Sequence, residues 1–213
     1  MGVLKITVLS LMLTLVGCGQ EDVQLKHKVQ YYFGESALAL SDRAGLDINT
    51  RVDRQPAGIN FYKGRYPLDD LGSITVYSGG RDFTVYHALS FMASADADDA
   101  EQIISNFSFD WSYNDQDDQD HDEARRYVYQ FFQELLSKGW RSFALYDNPR
   151  LIGRESYRYA HETTGDSVAL DPAYEFTLDE WMALDSKQYW GFINDEAYLV
   201  FRIFRDDSRT VIG

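Results

Sequence analysis

The chain has 213 residues, with 34 Asp and Glu against 20 Lys and Arg and a net charge of −14. That charge repels nucleic acid and anionic lipid headgroups and sets DNA- and RNA-binding functions aside. Aromatic residues make up 15% of the chain, too many for a disordered segment, and a single cysteine excludes an intramolecular disulfide.

The N-terminus carries Met1, Lys5 and then an apolar-biased run over residues 6–16. A basic residue, a short greasy stretch and a small residue at its end fit a secretory leader. As a helix the run rises about 16 Å at 1.5 Å per residue. The hydrocarbon layer is about 30 Å thick, so a permanent span is not expected. N-myristoylation fails because Ile6 stands where Ser or Thr is needed. Leu15, Val16, Gly17 and Cys18 resemble a bacterial lipobox. The resemblance implies that the Cys18 thiol is lipidated and that cleavage removes residues 1–17. Two or three acyl chains would hold the protein firmly to a membrane surface. Gly19 follows the cysteine where Asp would favour inner-membrane retention, so the resemblance implies the periplasmic face of the outer membrane. The plain alternative is an ordinary leader with a chance cysteine. Loss of the leader takes Lys5 and no acid, which deepens the negative charge by one.

Val23, Leu25, His27, Val29, Tyr31 and Phe33 alternate with polar residues and predict a half-buried strand. Residues 34–72 carry scattered Gly, Asp, Arg and Pro and predict one strand, over 58–62. Ile74 and Val76 alternate with Thr75 and Tyr77, Gly79-Gly80 supplies a tight turn, and residues 83–89 return, which predicts a hairpin. Ser94 or Asp96 could cap a short helix with Ala100, Ile103 and Ile104 inward. A stripe of Ala124, Tyr127, Val128, Phe131, Phe132, Leu135 and Leu136 predicts the strongest helix, ending at Gly139. A strand over 141–146 follows. Thr177 and Glu180 have capping-box spacing for another short helix, and residues 188–205 read as a hairpin turning at Asn194-Asp195-Glu196. The fold class is therefore α+β: mainly antiparallel strands and hairpins, one long amphipathic helix over about 122–138, and short helices. No Pro-, Gly- or Ser-rich linker divides residues 18–213, which read as one periplasmic domain.

Catalytic patterns are few. His161 and Glu162 begin a near match to a zinc-protease helix, but Gly165 stands where the second His must be, and His27, His87 and His121 are far apart in sequence. There is no G-x-S-x-G elbow, Walker A loop or G-x-G-x-x-G, so no cofactor and no catalytic residue is assigned. Carboxylate pairs for glycoside hydrolysis do not stand out among so many acids. The acidic run over 114–123 offers Asp115, Asp117 and Gln119, or Asp118, Asp120 and Asp122, at alternating spacing. An EF-hand loop fails, because its Gly and its bidentate Glu fall on wrong residues in either register. Asp120 with Glu123 has capping-box-like spacing at the positive end of the following helix. The rest of the run is a solvated loop, a docking surface for a basic partner, or a loose cation site. Trp111 and Tyr113 precede it, as aromatic anchors often do in protein interfaces, although a core role is the ordinary fate of an aromatic.

These features favour a non-enzymatic, lipid-anchored binding protein. The profile resembles the periplasmic immunity lipoproteins encoded beside type VI secretion effectors, and residues 139–153, "GWRSFALYDNPRLIG", resemble a stretch of lipase-directed immunity lipoproteins. The resemblance implies a secreted toxic effector, of phospholipase type, as partner. Occlusion would run through Trp111, Tyr113, Asp115, Asp117, Asp118 and Asp120. An envelope accessory or assembly lipoprotein and an unfamiliar hydrolase are the other readings.

Overall fold

The computed structural model describes residues 3–8, 26–47, 52–115, 120–145, 148–163 and 167–206. Among the described residues the protein is mixed in class, with strands predominating in two sheets and four helices. Two compact units divide it. One comprises Met1–Leu9, Gly79–Arg81 and Ser112–Gly213, the other Ser10–Ser78 and Asp82–Trp111. Cys18 lies outside the described residues.

In the first unit, β1 (Val3–Val8) pairs antiparallel with the C-terminal strand β11 (Tyr198–Asp206), and β11 pairs antiparallel with β10 (Tyr189–Ile193). The β10–β11 hairpin turns at Asn194, whose side-chain oxygen accepts from the Glu196 and Ala197 N–H groups at 2.8 and 2.9 Å. Two short strands share the other edge of β10. β8 (Arg141–Ser142) pairs antiparallel with its end, and β9 (Ala169–Leu170) pairs parallel with its start. The strand expected over 141–146 therefore stops at Ser142, and Tyr146 lies outside the described residues.

Helix α2 (His121–Ser137) buries Ala124, Val128, Tyr129, Phe131, Phe132 and Leu135, whereas Tyr127 and Leu136 are half-buried. Phe132 meets Trp190, Phe192 and Phe201 at ring-centroid distances of 5.3, 5.2 and 5.5 Å, which seats α2 on the β10–β11 hairpin. Aromatic pairs in such edge and tilted arrangements add to area burial. The helix ends in a Schellman turn. Gly139, at φ 91°, donates to Leu136 O, and the Trp140 N–H reaches Leu135 O. Helix α4 (Leu178–Met182) starts at the predicted capping box: Thr177 Oγ1 accepts from Glu180 N–H and Glu180 Oε2 from Thr177 N–H. Helix α3 (Arg154–Glu162) was not anticipated. It buries only Ser156 and Ala160, so no apolar stripe announces it.

In the second unit, β2 (Lys28–Tyr32) alternates exposed and buried residues and pairs parallel with β5 (Gly72–Tyr77). β5 and β6 (Phe83–Asp96) form the predicted antiparallel hairpin. β6 is long enough to pair with β5 over its first half, β4 (Ile59–Arg65) over its second, and β7 (Ile104–Trp111) along its other edge. β3 (Val52–Gln55) adds to β4. Helix α1 (Ala37–Ala44) packs against β2, capped by Ser36 Oγ accepting from Ala39 N–H and closed by Gly45 at φ 75°.

The short helix expected from Ser94 or Asp96 is absent from its place. β6 runs through to Asp96, and a tight turn leads into β7. Asp96 accepts from the Asp98 N–H, and Asp99 accepts from the Glu101 and Ile103 N–H groups. These short carboxylates satisfy their own backbone and so outcompete a helical ladder.

Candidate interaction surface

The sequence-predicted site residues do not converge. Trp111 ends β7 with its side chain inward, 0% exposed, its ring 5.7 Å from that of Phe109. A ring so buried offers no anchor to a partner, which corrects its assignment. Asp117 and Asp118 lie outside the described residues, as does Cys18.

Tyr113, Asp115 and Asp120 remain, all in the first unit. Tyr113 is half-buried, and its hydroxyl oxygen accepts from the Asp120 N–H at 2.9 Å. Its ring lies 6.3 Å from that of Tyr127 on α2. Burial pushes the Tyr113 phenol up, opposed by the Asp120 N–H and assisted by the Glu123 and Asp120 charges. Asp120 is the N-cap of α2. Its Oδ1 accepts from the Asp122 and Glu123 N–H groups at 2.8 and 3.0 Å. Asp120 is therefore both an exposed charge and a structural cap. Asp122 is held below the usual carboxylate range by hydrogen bonds from Arg125 and Arg126. Arg125 also reaches Glu175 and the Phe176 carbonyl. The exposed acids at this helix start are Asp115, Asp120 and Glu123.

The histidines stay apart in role. His161 closes α3, stacked on Tyr157 at a centroid distance of 5.8 Å, while His27 approaches Asp70 at 3.4 Å. Among the described residues, no group of three or more His, Cys, Asp or Glu could hold a metal ion. No helix there is long and apolar enough to cross a membrane.

Two of the clefts formed by the described residues open in the first unit. One, of about 430 Å³, has Tyr157, His161, Lys187 and Gln188 in its wall. The other, of about 410 Å³, is lined by residues that include Arg141, Phe143, Arg150, Leu151, Ile152 and Ile193. Its floor includes Ala144 and Ala169, part of a buried cluster with Tyr189 and Val200. Sequence reasoning missed this second cleft, although residues 139–153 had drawn notice. Part of its wall is a strap, described over residues 143–145 and 148–153 and tied down at both of these parts. The Phe143 N–H donates to Gly191 O, the Leu145 N–H to the Tyr189 hydroxyl, and the Gly153 N–H to Asp171 Oδ2. Asn148 Oδ1 accepts from the Ala169 N–H. Ile152 nevertheless remains 80% exposed. Leaving such a side chain in water forgoes about 1.5–3 kcal/mol of burial.

No family model matches the chain, and no curated protein or solved structure matches it. Function must accordingly be argued from the chemistry of these surfaces.

Proposed function

We propose that this protein is a lipid-anchored binding protein of the bacterial envelope, held by Cys18 at the periplasmic face of the outer membrane after cleavage has removed residues 1–17, and with them the β1 partner of β11. In this reading it is an immunity protein that binds and occludes a type VI secretion effector of lipase type, and it catalyses nothing itself. The amphipathic helix expected over about 122–138 serves as the rigid base of the acidic segment. The observation that carries the reading is the exposed acid at Asp115 and Asp120, of which Asp120 is held at the start of α2 by the Tyr113 hydroxyl and by helix capping. Fixed charge of one sign on a rigid element speeds encounter with a basic surface, while packing governs how long the complex lasts.

The test is capture of the effector from envelope extracts, followed by association kinetics. Charge reversal at Asp115, Asp117 and Asp118 is expected to slow association at low salt by about tenfold and to flatten its salt dependence. An association rate unchanged across salt would remove the acidic segment from the reading. The anchor is tested separately. Cys18→Ala is expected to release the protein from membrane pellets, and mass analysis of the native product is expected to find a lipidated N-terminal Cys18. An intact leader and an unmodified thiol would refute the placement.

A further inference from the structure

The geometry points to the strap cleft as a binding site for an anionic amphiphile: one acyl chain carrying a carboxylate or phosphate head. The inference stands apart from the immunity reading, since it uses neither the acidic segment nor the partner assigned to it.

Charge is the first argument. In a chain with 34 acidic residues, the lining of this cleft contains two guanidinium groups, Arg141 and Arg150, and no carboxylate among the described residues. Arg141 has one weak tie, to Asp195 at 3.6 Å, between two exposed side chains. Arg150 is exposed and makes no hydrogen bond or ion pair among the described residues. Asp147, next along the strap, lies outside those residues. A guanidinium presents a planar fork of N–H donors that matches carboxylate and phosphate oxygens, and it gains from such a partner.

The apolar part of the wall supplies the second argument. Phe143, Leu151, Ile152 and Ile193 line the same space, with Ala144 and Ala169 beneath. A ligand with only a charged head would leave these groups wet, and a purely apolar one would leave the arginines unused. An acyl chain over Ile152 with its head on Arg150 satisfies both. The volume, about 410 Å³, falls in the ordinary range for small-ligand sites.

Rigidity is the third. Bonds from the Phe143, Leu145 and Gly153 N–H groups and to the Asn148 side-chain oxygen hold the described parts of the strap without any help from the side chains of Arg150 and Ile152. Those two side chains are therefore free to be contributed to a ligand, and a preformed site loses less to ordering on binding.

The probes are dodecanoate and dodecyl phosphate, each below its micelle-forming concentration, titrated calorimetrically into the full chain made by cell-free synthesis without membranes. Saturable one-to-one binding of at least one of them is expected. Dodecanol, with the same chain and no charge, and acetate, with the head alone, are each expected to bind at least tenfold more weakly. Arg150→Gln is expected to weaken binding about tenfold, the loss of one charge-assisted contact, and Ile152→Ser to weaken it by several-fold. Both side chains are exposed, so the melting temperature of each variant should match the parent and folding failure is detectable. Tighter binding of dodecanoate would identify a free fatty acid as the natural class, and tighter binding of dodecyl phosphate a phospholipid fragment. Equal affinity for dodecanol, no saturation below millimolar concentration, or full retention by Arg150→Gln would each overturn the inference.

Discussion

At Gly191 a methyl group would lie 2.1 Å from the Phe143 carbonyl oxygen and 3.0 Å from its carbon. Neither side can yield easily, because the Phe143 N–H donates to Gly191 O at 2.9 Å and fixes the same approach. The glycine is thus required by proximity of two backbones rather than by its own dihedral angles. Gly191→Ala is expected to destabilise the protein by about 1–3 kcal/mol, as overpacking does, read from urea denaturation midpoints. An unchanged midpoint would mean that β8 and the strap separate from β10 at little cost. Trp111 makes the complementary point about residues. Its neighbourhood in sequence is acidic and loop-like, yet parity along β7 turns it inward with Phe109. A one-residue shift decides between interface and core, and composition does not register that shift.

Among elements, α2 allows charge to be separated from capping. Asp120→Ala removes the acceptor for the Asp122 and Glu123 N–H groups and is expected to cost about 1 kcal/mol of stability. Asp120→Asn keeps an acceptor while losing the charge, so its denaturation midpoint should stay within a few tenths of a kcal/mol of the parent. If the Asn variant loses as much as the Ala variant, electrostatics at the helix end outweigh the cap. Elements defined by local chemistry were legible in the sequence. The Thr177–Glu180 box and the Gly79-Gly80 turn lie within a few residues of the bonds they make. Elements that depend on distant partners were not. α3 buries only Ser156 and Ala160, and its place is fixed by ties such as Asp171 N–H to Ser156 Oγ and Arg154 to Glu180. The turn after Asp96 misled for a different reason. Ala and Ile at helical spacing are also compatible with a hairpin once carboxylates bind the intervening N–H groups. The strap cleft could not be read at all, since its wall is gathered from β8, the strap, β9 and β10.

For the molecule as a whole, the titration of tyrosine reports on folding. Tyr31, Tyr66 and Tyr129 are core residues, and burial pushes Tyr31 up to about 12 and the other two further. A raised folded-state value means that their contribution is complete below the unfolded value of 10.0 and is lost as pH rises through the folded values. Growing negative charge on a chain already at −14 acts in the same direction. Stability is therefore expected to fall from about pH 10 upward. Tyrosinate absorbance should rise in two stages, with the core phenols ionising together with loss of tertiary circular dichroism. Smooth ionisation of all 15 tyrosines near pH 10, with the fold intact, would contradict the burial described.

The shared strand β6 has a consequence for when the second unit can form. β2 comes first in the chain but waits for β5, and β6 completes its pairing only after β7 has been made. Contacts so distant along the chain make collapse slow. If the chain is exported, as proposed above, that delay would keep the polypeptide threadable until it had crossed the membrane.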